Sequence, residues 1–259
     1  MPPRKKAKVE KEETSECEEK VMSLAEVVKA DFQFFNVDTI ELAKNMVGQL
    51  LVSKINGKRI SGIIVETEAY PGGTDEASHS FNGKRTPKNE ALYQPPGTFY
   101  VYYCYGRLSL CNVSSKGIFL CFSFFFVTSV APKIIDTGAG VLIRALEPRE
   151  GVQYMSENRA GKINKVISTS ANLAVSSNPN TVRNLCNGPA KLCQALGLNR
   201  ENANMLDLVT EDKVFIELTG KSMQEIHETT RIGIDYAGKE WQDKLWRFYL
   251  KGNRFVSKK

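Results

Sequence analysis

The chain has 259 residues, 42% of them hydrophobic and 25% charged, near the globular average, which excludes wholesale disorder, collagen and coiled coil. That length fits one large domain or two small ones, and it can bury an ordinary core without disulfide or metal staples. Thirty-five Lys and Arg against 29 Asp and Glu leave a formal charge of +6, a modest hint of a polyanionic partner.

Residues 1–20 carry six basic and six acidic side chains and few apolar ones, so a disordered tail is expected and the +6 belongs to the body. Its opening, M-P-P-R-K-K-A-K-V-E, lacks an apolar signal core and reads as a nuclear-import tag or nucleic-acid arm, against a plain solvated charge run. Nuclear location is the expectation. Asp38 is placed to cap a helix through Leu42, Met46 and Leu50, and Asn56-Gly57 marks a turn. Arg59 to Tyr70, rich in Ile and Val, reads as a strand ended by Pro71-Gly72-Gly73. A polar loop follows to about Glu90, of a length that is usually functional or disordered.

Thr98 to Tyr105 reads as a second strand closed by Gly106, with Tyr100 and Tyr102 on one face and Tyr103 and Tyr105 on the other. Val141 to Leu146 reads as a third, stopped by Glu147-Pro148, with a helix from Arg149 to about Asn158. Residues 166–182 read as a loop or ragged helix. Asn187-Gly188-Pro189 opens a helix through Lys191, Leu192 and Leu196, with Pro placed where its missing N–H is harmless. Val214 to Leu218 and Trp246 to Leu250 read as further strands. Strands and helices mix without strict βαβ alternation, so a single α+β domain over 21–259 is expected.

One stretch stands apart. Of 13 Phe in the chain, five fall between Phe119 and Phe126. The uncharged run from Gly117 to Pro132 is too short for a comfortable membrane span, and no membrane partner is expected.

Glu66 and Glu68 lie two apart on the predicted strand and so share a face. A pair there is either solvated on an edge strand, the commoner case, or used, since buried carboxylates are expensive. His79 lies in the following loop with Lys84, Arg85 and Lys88. Carboxylate, aromatic, imidazole and cations together suit a hydrolytic site for an anionic substrate. The tyrosine strand is either a stacking platform for unpaired bases or an aromatic-rich core. Phosphate-cradling glycine motifs and a G-x-S-x-G elbow are absent. Six cysteines form no C-x-x-C pair and only His79 and His227 could join them, so scattered reduced thiols are expected and no metal.

Several motifs stand in one order along nearly the whole body: G-I-I-V-E-T-E-A-Y (62–70), D-E-A-S-H-S (75–80), R-T-P-K-N (85–89), P-G-T-F-Y-V-Y-Y-C-Y-G (96–106), C-N-V-S-S (111–115), V-L-I-R-A-L-E-P (141–148), N-G-P-A-K-L-C-Q-A-L (187–196) and W-R-F-Y-L-K-G (246–252). Together they resemble the alkyladenine DNA glycosylases, the 3-methyladenine DNA glycosylase family of the mammalian and bacterial type. The resemblance implies a curved, mostly antiparallel sheet flanked by helices, and a monomeric, monofunctional repair enzyme without cofactor. Such an enzyme flips a damaged purine (3-alkyladenine, 7-alkylguanine, hypoxanthine or ethenoadenine) out of double-stranded DNA and hydrolyses its N-glycosidic bond.

The resemblance makes Glu68 the general base and Glu66 an accompanying strand residue. Arg144, Glu68 and the backbone carbonyl near Ile232 would hold the attacking water. Tyr70, His79 and Tyr102 would line the pocket and stack on the extruded base, and Asn112 at its floor would reject the exocyclic amine of guanine. Tyr105 would be the wedge that fills the gap in the duplex. Lys84, Arg85, Lys88 and Lys191 are the candidates for contact with the DNA backbone. Arg107-Leu108-Ser109-Leu110 and Phe81-Asn82 depart from the family pattern. The larger departure is at 117–135: removing Gly117 to Ile135 restores S-S-K-D-T-G-A-G-V-L-I-R at family length. This apolar insert reads as translated intron, with a lineage-specific insertion as the runner-up. The competing readings of the whole chain are a catalytically impaired nuclear DNA-binding protein and a gene-model product misfolded by the insert.

Overall fold

The computed structural model describes residues 28–116, 137–160, 179–220 and 225–258. The expected disordered tail, the apolar insert at 117–135 and most of the 166–182 stretch lie outside them.

Among the described residues nine strands form one sheet: β1 (Val28–Lys29), β2 (Leu50–Ser53), β3 (Ile60–Tyr70), β4 (Phe99–Cys104), β5 (Leu108–Ser114), β6 (Gly140–Glu150), β7 (Val214–Leu218), β8 (Ile226–Thr229) and β9 (Arg247–Leu250). The spatial order is β1-β7-β2-β3-β6-β5-β4, with β9 on β3 and β8 on β9, and every described pairing is antiparallel. The expected single α+β domain with a curved antiparallel sheet is what the chain forms. Strand β3 is its axis. One edge pairs with β6 along its length, and the other pairs with β2 at Ile60–Ile63 and with β9 at Glu66–Glu68.

Helix α1 (Phe32–Phe35) is a single turn. Helix α2 (Thr39–Met46) buries Thr39, Leu42, Ala43 and Met46, a spacing of three and four that makes one apolar stripe. Asp38 caps it as expected, its carboxylate accepting from the Ile40 N–H at 2.8 Å. The helix stops at Met46, short of the expected Leu50. Gly48 takes φ +92°, the chain reverses, and Leu50 opens β2 against Ile63. Thr67 on β3 donates its hydroxyl to the Ala43 carbonyl of α2 at 2.8 Å, so α2 covers the face opposite to Glu66 and Glu68.

Strand β6 does not stop at Glu147-Pro148 but continues to Glu150, and α3 begins at Val152 (Val152–Ala160), not Arg149. Pro148 pairs with Gly62 where the register shifts, so its missing N–H falls at an irregularity instead of breaking the ladder. Helices α4 (Pro179–Cys186) and α5 (Pro189–Leu196) pack with α3 against β5 and β6, and α6 (Arg200–Ala203) and α7 (Lys239–Gln242) are single turns. Pro189 sits in the first turn of α5, and Gly197 at φ +72° closes it. Phe35, Leu42, Met46, Leu51, Ile64, Phe99, Ile143 and Phe248 are wholly buried between sheet and helices. Cys104, Cys111, Cys186 and Cys193 are free thiols.

Candidate active site

Two carboxylates lie in the middle of β3. Glu66 and Glu68 are both fully buried, so the solvated-edge reading does not apply: β3 is flanked on both sides. The β3–β6 register shifts on either side of Glu66, a bulge that leaves Arg144 of β6 free to meet both carboxylates. The Arg144 guanidinium donates from Nε to Glu66 Oε1 and from Nη1 to Glu68 Oε2, each at 3.1 Å. Glu68 also accepts from the Tyr70 hydroxyl at 2.8 Å (Oε2) and from the Ile232 N–H at 2.7 Å (Oε1).

Burial pushes the Glu68 carboxyl above the usual glutamate range, and Arg144, the Ile232 amide and Tyr70 only partly offset it. The Tyr70 hydroxyl is likewise pushed well up by burial and the adjoining Glu68 charge, so it remains a donor. Burial works against the Arg144 charge, yet Glu68 and Glu66 outweigh it and keep the guanidinium protonated.

Above this cluster opens a cavity of about 380 Å³, within the range of small-ligand pockets. Tyr70, Arg144 and Ile232 line it, and Glu68, which is not part of the lining, is hydrogen-bonded to all three. His79, Tyr100, Tyr102 and Asn112 also line it. The Tyr100 and Tyr102 rings stack 5.2 Å apart, and His79 lies edge-on to Tyr102 at 4.6 Å. His79 Nδ1 is 2.8 Å from the Tyr100 hydroxyl, and burial together with Lys84 lowers its pKa, which keeps the ring neutral. With Tyr100 donating to Nδ1, the His79 Nε2–H is left to donate; in the other tautomer Nε2 accepts. Asn112 is turned toward the strand behind it, giving its amide to the Tyr100 carbonyl at 3.2 Å.

The loop carrying His79 is ordered by its polar side chains. Asp75 accepts from Ser78 Oγ, and Asn89 gives its amide to the His79 and Lys84 carbonyls. Gly72 turns at φ +72° where a Cβ would stand 2.0 Å from the Thr137 carbonyl, so only glycine closes this corner.

A family model for methylpurine-DNA glycosylase matches the chain in two stretches, residues 33–118 and 117–254, meeting where the Phe-rich run begins. A Clostridium perfringens protein named "Putative 3-methyladenine DNA glycosylase" is 40% identical over 228 residues, covering 87% of this chain and 97% of the relative. A Clostridium acetobutylicum protein of the same name is 41% identical over 225 residues, covering 87% and 95%. The chain belongs to the methylpurine-DNA glycosylase family.

On this methylpurine-DNA glycosylase framework the remaining sequence candidates fall in three places. Tyr105 is in the β4–β5 turn at φ +50°, is 92% exposed, and projects at the mouth of the cavity. The strand ends one residue earlier than expected, so alternation does not govern Tyr105; Tyr103 points elsewhere, to Glu201. Lys84 and Lys88 are exposed on the 71–93 loop beside the site. Arg85 is tied to Glu90 and lies over the Tyr93 ring, 4.7 Å from its centroid. Lys191 is on α5, away from the cavity lining, its amine given to Asn187 at 2.8 Å.

Sequence reading passed over four residues that the fold brings to this centre. Arg231 makes a two-pronged, wholly buried pair with Asp75 at 2.6 and 2.8 Å, and its guanidinium lies between the Tyr70 and Trp246 rings. Tyr236, 71% exposed, stands at the rim and donates to the Ala77 carbonyl. Arg247 and Ser257 reach Glu66 from β9 and the C-terminal segment. Their signal in the sequence was slight: Arg247 lies in a recognised motif, but nothing in R-I-G or F-V-S marks a partner across the fold.

Proposed function

We propose that this chain extrudes a damaged purine from duplex DNA into the aromatic cavity and hydrolyses its N-glycosidic bond with water activated by Glu68. The observation that carries this reading is a buried carboxylate of raised basicity whose three partners, Arg144, Tyr70 and Ile232, all line one cavity together with Tyr102 and His79. Extrusion costs a few kcal/mol of stacking and pairing. Stacking on Tyr70, His79 and Tyr102 offsets part of that, at about 1–3 kcal/mol per base–aromatic contact. Tyr105, outside the strand and largely exposed, would enter the vacated gap.

In the reaction, water adds to the sugar C1′ as the bond to the purine nitrogen breaks. Glu68 takes the water proton, and the bonding electrons leave with the base. A cationic alkylpurine leaves neutral; hypoxanthine leaves after gaining a proton or a strong hydrogen bond, which a donating His79 supports. Arg144 stabilises the Glu68 carboxylate until it accepts the proton, and a carbonyl near Ile232 would complete the water's hydrogen bonding. No lysine lines the cavity among the described residues, which favours release of an intact abasic strand over amine-mediated cleavage.

A duplex with a single hypoxanthine or 1,N6-ethenoadenine tests the reading. The wild-type chain should leave an abasic site, and Glu68→Gln should slow release by about 10²–10⁴-fold while still binding the lesion duplex. Release at the wild-type rate from Glu68→Gln removes the general-base role. Undamaged duplex should bind weakly, with affinity falling steeply as salt rises. Nuclear location rests on the basic cluster Arg4 to Lys8, and a fluorescent fusion of residues 1–20 reads it directly.

A further inference from the structure

Glu66 is the fully buried carboxylate that the reaction leaves unused, and it has more partners than a spacer on a strand needs. Its Oε1 accepts from Arg144 Nε at 3.1 Å, Arg247 Nη1 at 2.9 Å and Ser257 Oγ at 2.9 Å, while Oε2 accepts from the Ser257 N–H at 2.6 Å. Arg144 is thereby committed at every nitrogen: Nε to Glu66, Nη1 to Glu68, and Nη2 to Ser257 Oγ at 3.5 Å. Arg247 extends the cluster, donating from Nε to the Thr230 carbonyl at 2.9 Å, two residues before the Ile232 amide that holds Glu68.

The C-terminal segment is fixed so that Ser257 arrives in register. Phe255 and Val256 are buried in the core, and Asn253 gives its amide to Glu147 at 2.8 Å. We infer that Ser257 and Glu66 form a positioning relay that sets the Arg144 guanidinium against Glu68, so that the C-terminal segment is a working part of the catalytic centre. This rests on the proposed role of Glu68 as general base. Neither residue touches the cavity; both act through Arg144.

The relay has a distinctive sign. The groups facing Glu68 are Arg144 from β6, Tyr70 and Glu66 from β3, Tyr102 from β4, and the Ile232 N–H and Tyr236 from the 230–236 segment, with Arg247 of β9 behind Glu66. If Glu66 were only a neighbouring negative charge, its removal would let Glu68 ionise at lower pH. If Glu66 holds Arg144 in place, its removal takes away the main attraction on Glu68, and ionisation moves to higher pH.

Single-turnover release of hypoxanthine is measured across pH for wild type, Glu66→Gln, Ser257→Ala and Ser257→Thr, with melting temperature and lesion-duplex Kd for each. Expected are a plateau rate lowered about 10- to 100-fold in Glu66→Gln, a smaller loss in Ser257→Ala restored by Ser257→Thr, and an acidic limb displaced to higher pH in the impaired variants, with Kd within about twofold. An acidic limb that stays in place or moves lower, or a rate loss matching only the fraction unfolded, overturns the relay. If Glu66→Gln does not fold, Ser257→Ala decides alone: a wild-type profile overturns the relay. If the wild-type chain releases no base, the reading of the site fails. The relay is then tested by 13C-carboxyl titration of Glu68, where equal or lower titration in Ser257→Ala than in wild type overturns it.

Discussion

Glu68 and Tyr105 are each held in a state that an isolated residue would avoid. Burial lifts the Glu68 carboxyl above its usual 4.5, so activity should fall off on acidification at a pH above 4.5, read from single-turnover rates. The same displacement acts on stability. Between 4.5 and its folded value the native chain holds a proton that the unfolded chain has released. Folding is therefore favoured below this window and progressively disfavoured as pH rises through it. Wild-type stability minus that of Glu68→Gln should decline across the window and level off above it, measured by denaturant unfolding at a series of pH values. A rise instead would mean that Arg144 governs the carboxyl. Tyr105 occupies the left-handed region at φ +50°, a strain of about 1–2 kcal/mol for a side chain with a Cβ. Replacement by Gly relieves this but loosens the unfolded chain by up to about 1 kcal/mol. Tyr105→Gly should thus melt within a few degrees of wild type while losing release from duplex DNA. A comparable loss from single-stranded substrate would count against a wedge.

Local pattern announced some elements and hid others. The Ile- and Val-rich run of β3, the stripe of α2 and the Pro189 start of α5 follow from side-chain periodicity and capping, and the structure has them nearly where the sequence places them. The continuation of β6 through Pro148 depends on a register shift against Gly62, a partner 86 positions away in the chain, and no local signal carries it. The same holds within the site. Glu68, Tyr70, His79, Tyr102, Asn112 and Arg144 sit in dense motifs and come together around one cavity. Arg231 has an unremarkable setting, yet its pair with Asp75 joins the 71–93 loop to the segment carrying Ile232. Its guanidinium also donates to the Ala69 carbonyl of β3 at 3.1 Å. Arg231→Met would leave Asp75 charged and without its partner in the interior, and about 3–5 kcal/mol of stability should be lost, seen as a lower urea midpoint. Arg231→Met with Asp75→Asn should recover much of it.

On the scale of the whole molecule, the hairpin from β5 to β6 shows how little connection the fold needs. Ser114 pairs with Gly140, and the Ser115 N–H bonds the Ala139 carbonyl at 3.2 Å, so the strands close together before the apolar segment begins. Joining Lys116 directly to Asp136 leaves a four-residue turn, an ordinary hairpin length. A chain lacking residues 117–135 should express in more soluble form, melt at or above the temperature of the full chain, and release hypoxanthine at least as fast. Loop-closure entropy accounts for only a small part of any gain, because it grows slowly with length. A deletion that abolishes folding would make the segment a genuine part of the domain, and mature message containing its codons would end the intron reading.

Placing both carboxylates in mid-strand divides what natural variation can reach. Glu66 and Glu68 are locked between β6 and β9, where a changed side chain disturbs the ladder and the core together. The two exposed groups of the cavity lining, Tyr105 and Tyr236, sit on a turn and a loop outside β3, where exchange is tolerated. On the proposed reading, base preference can change at these exposed positions while the Glu68 step is retained. A library randomised at the rim should yield folded variants with new base preferences, whereas one randomised at positions 66 and 68 should yield mostly insoluble chains.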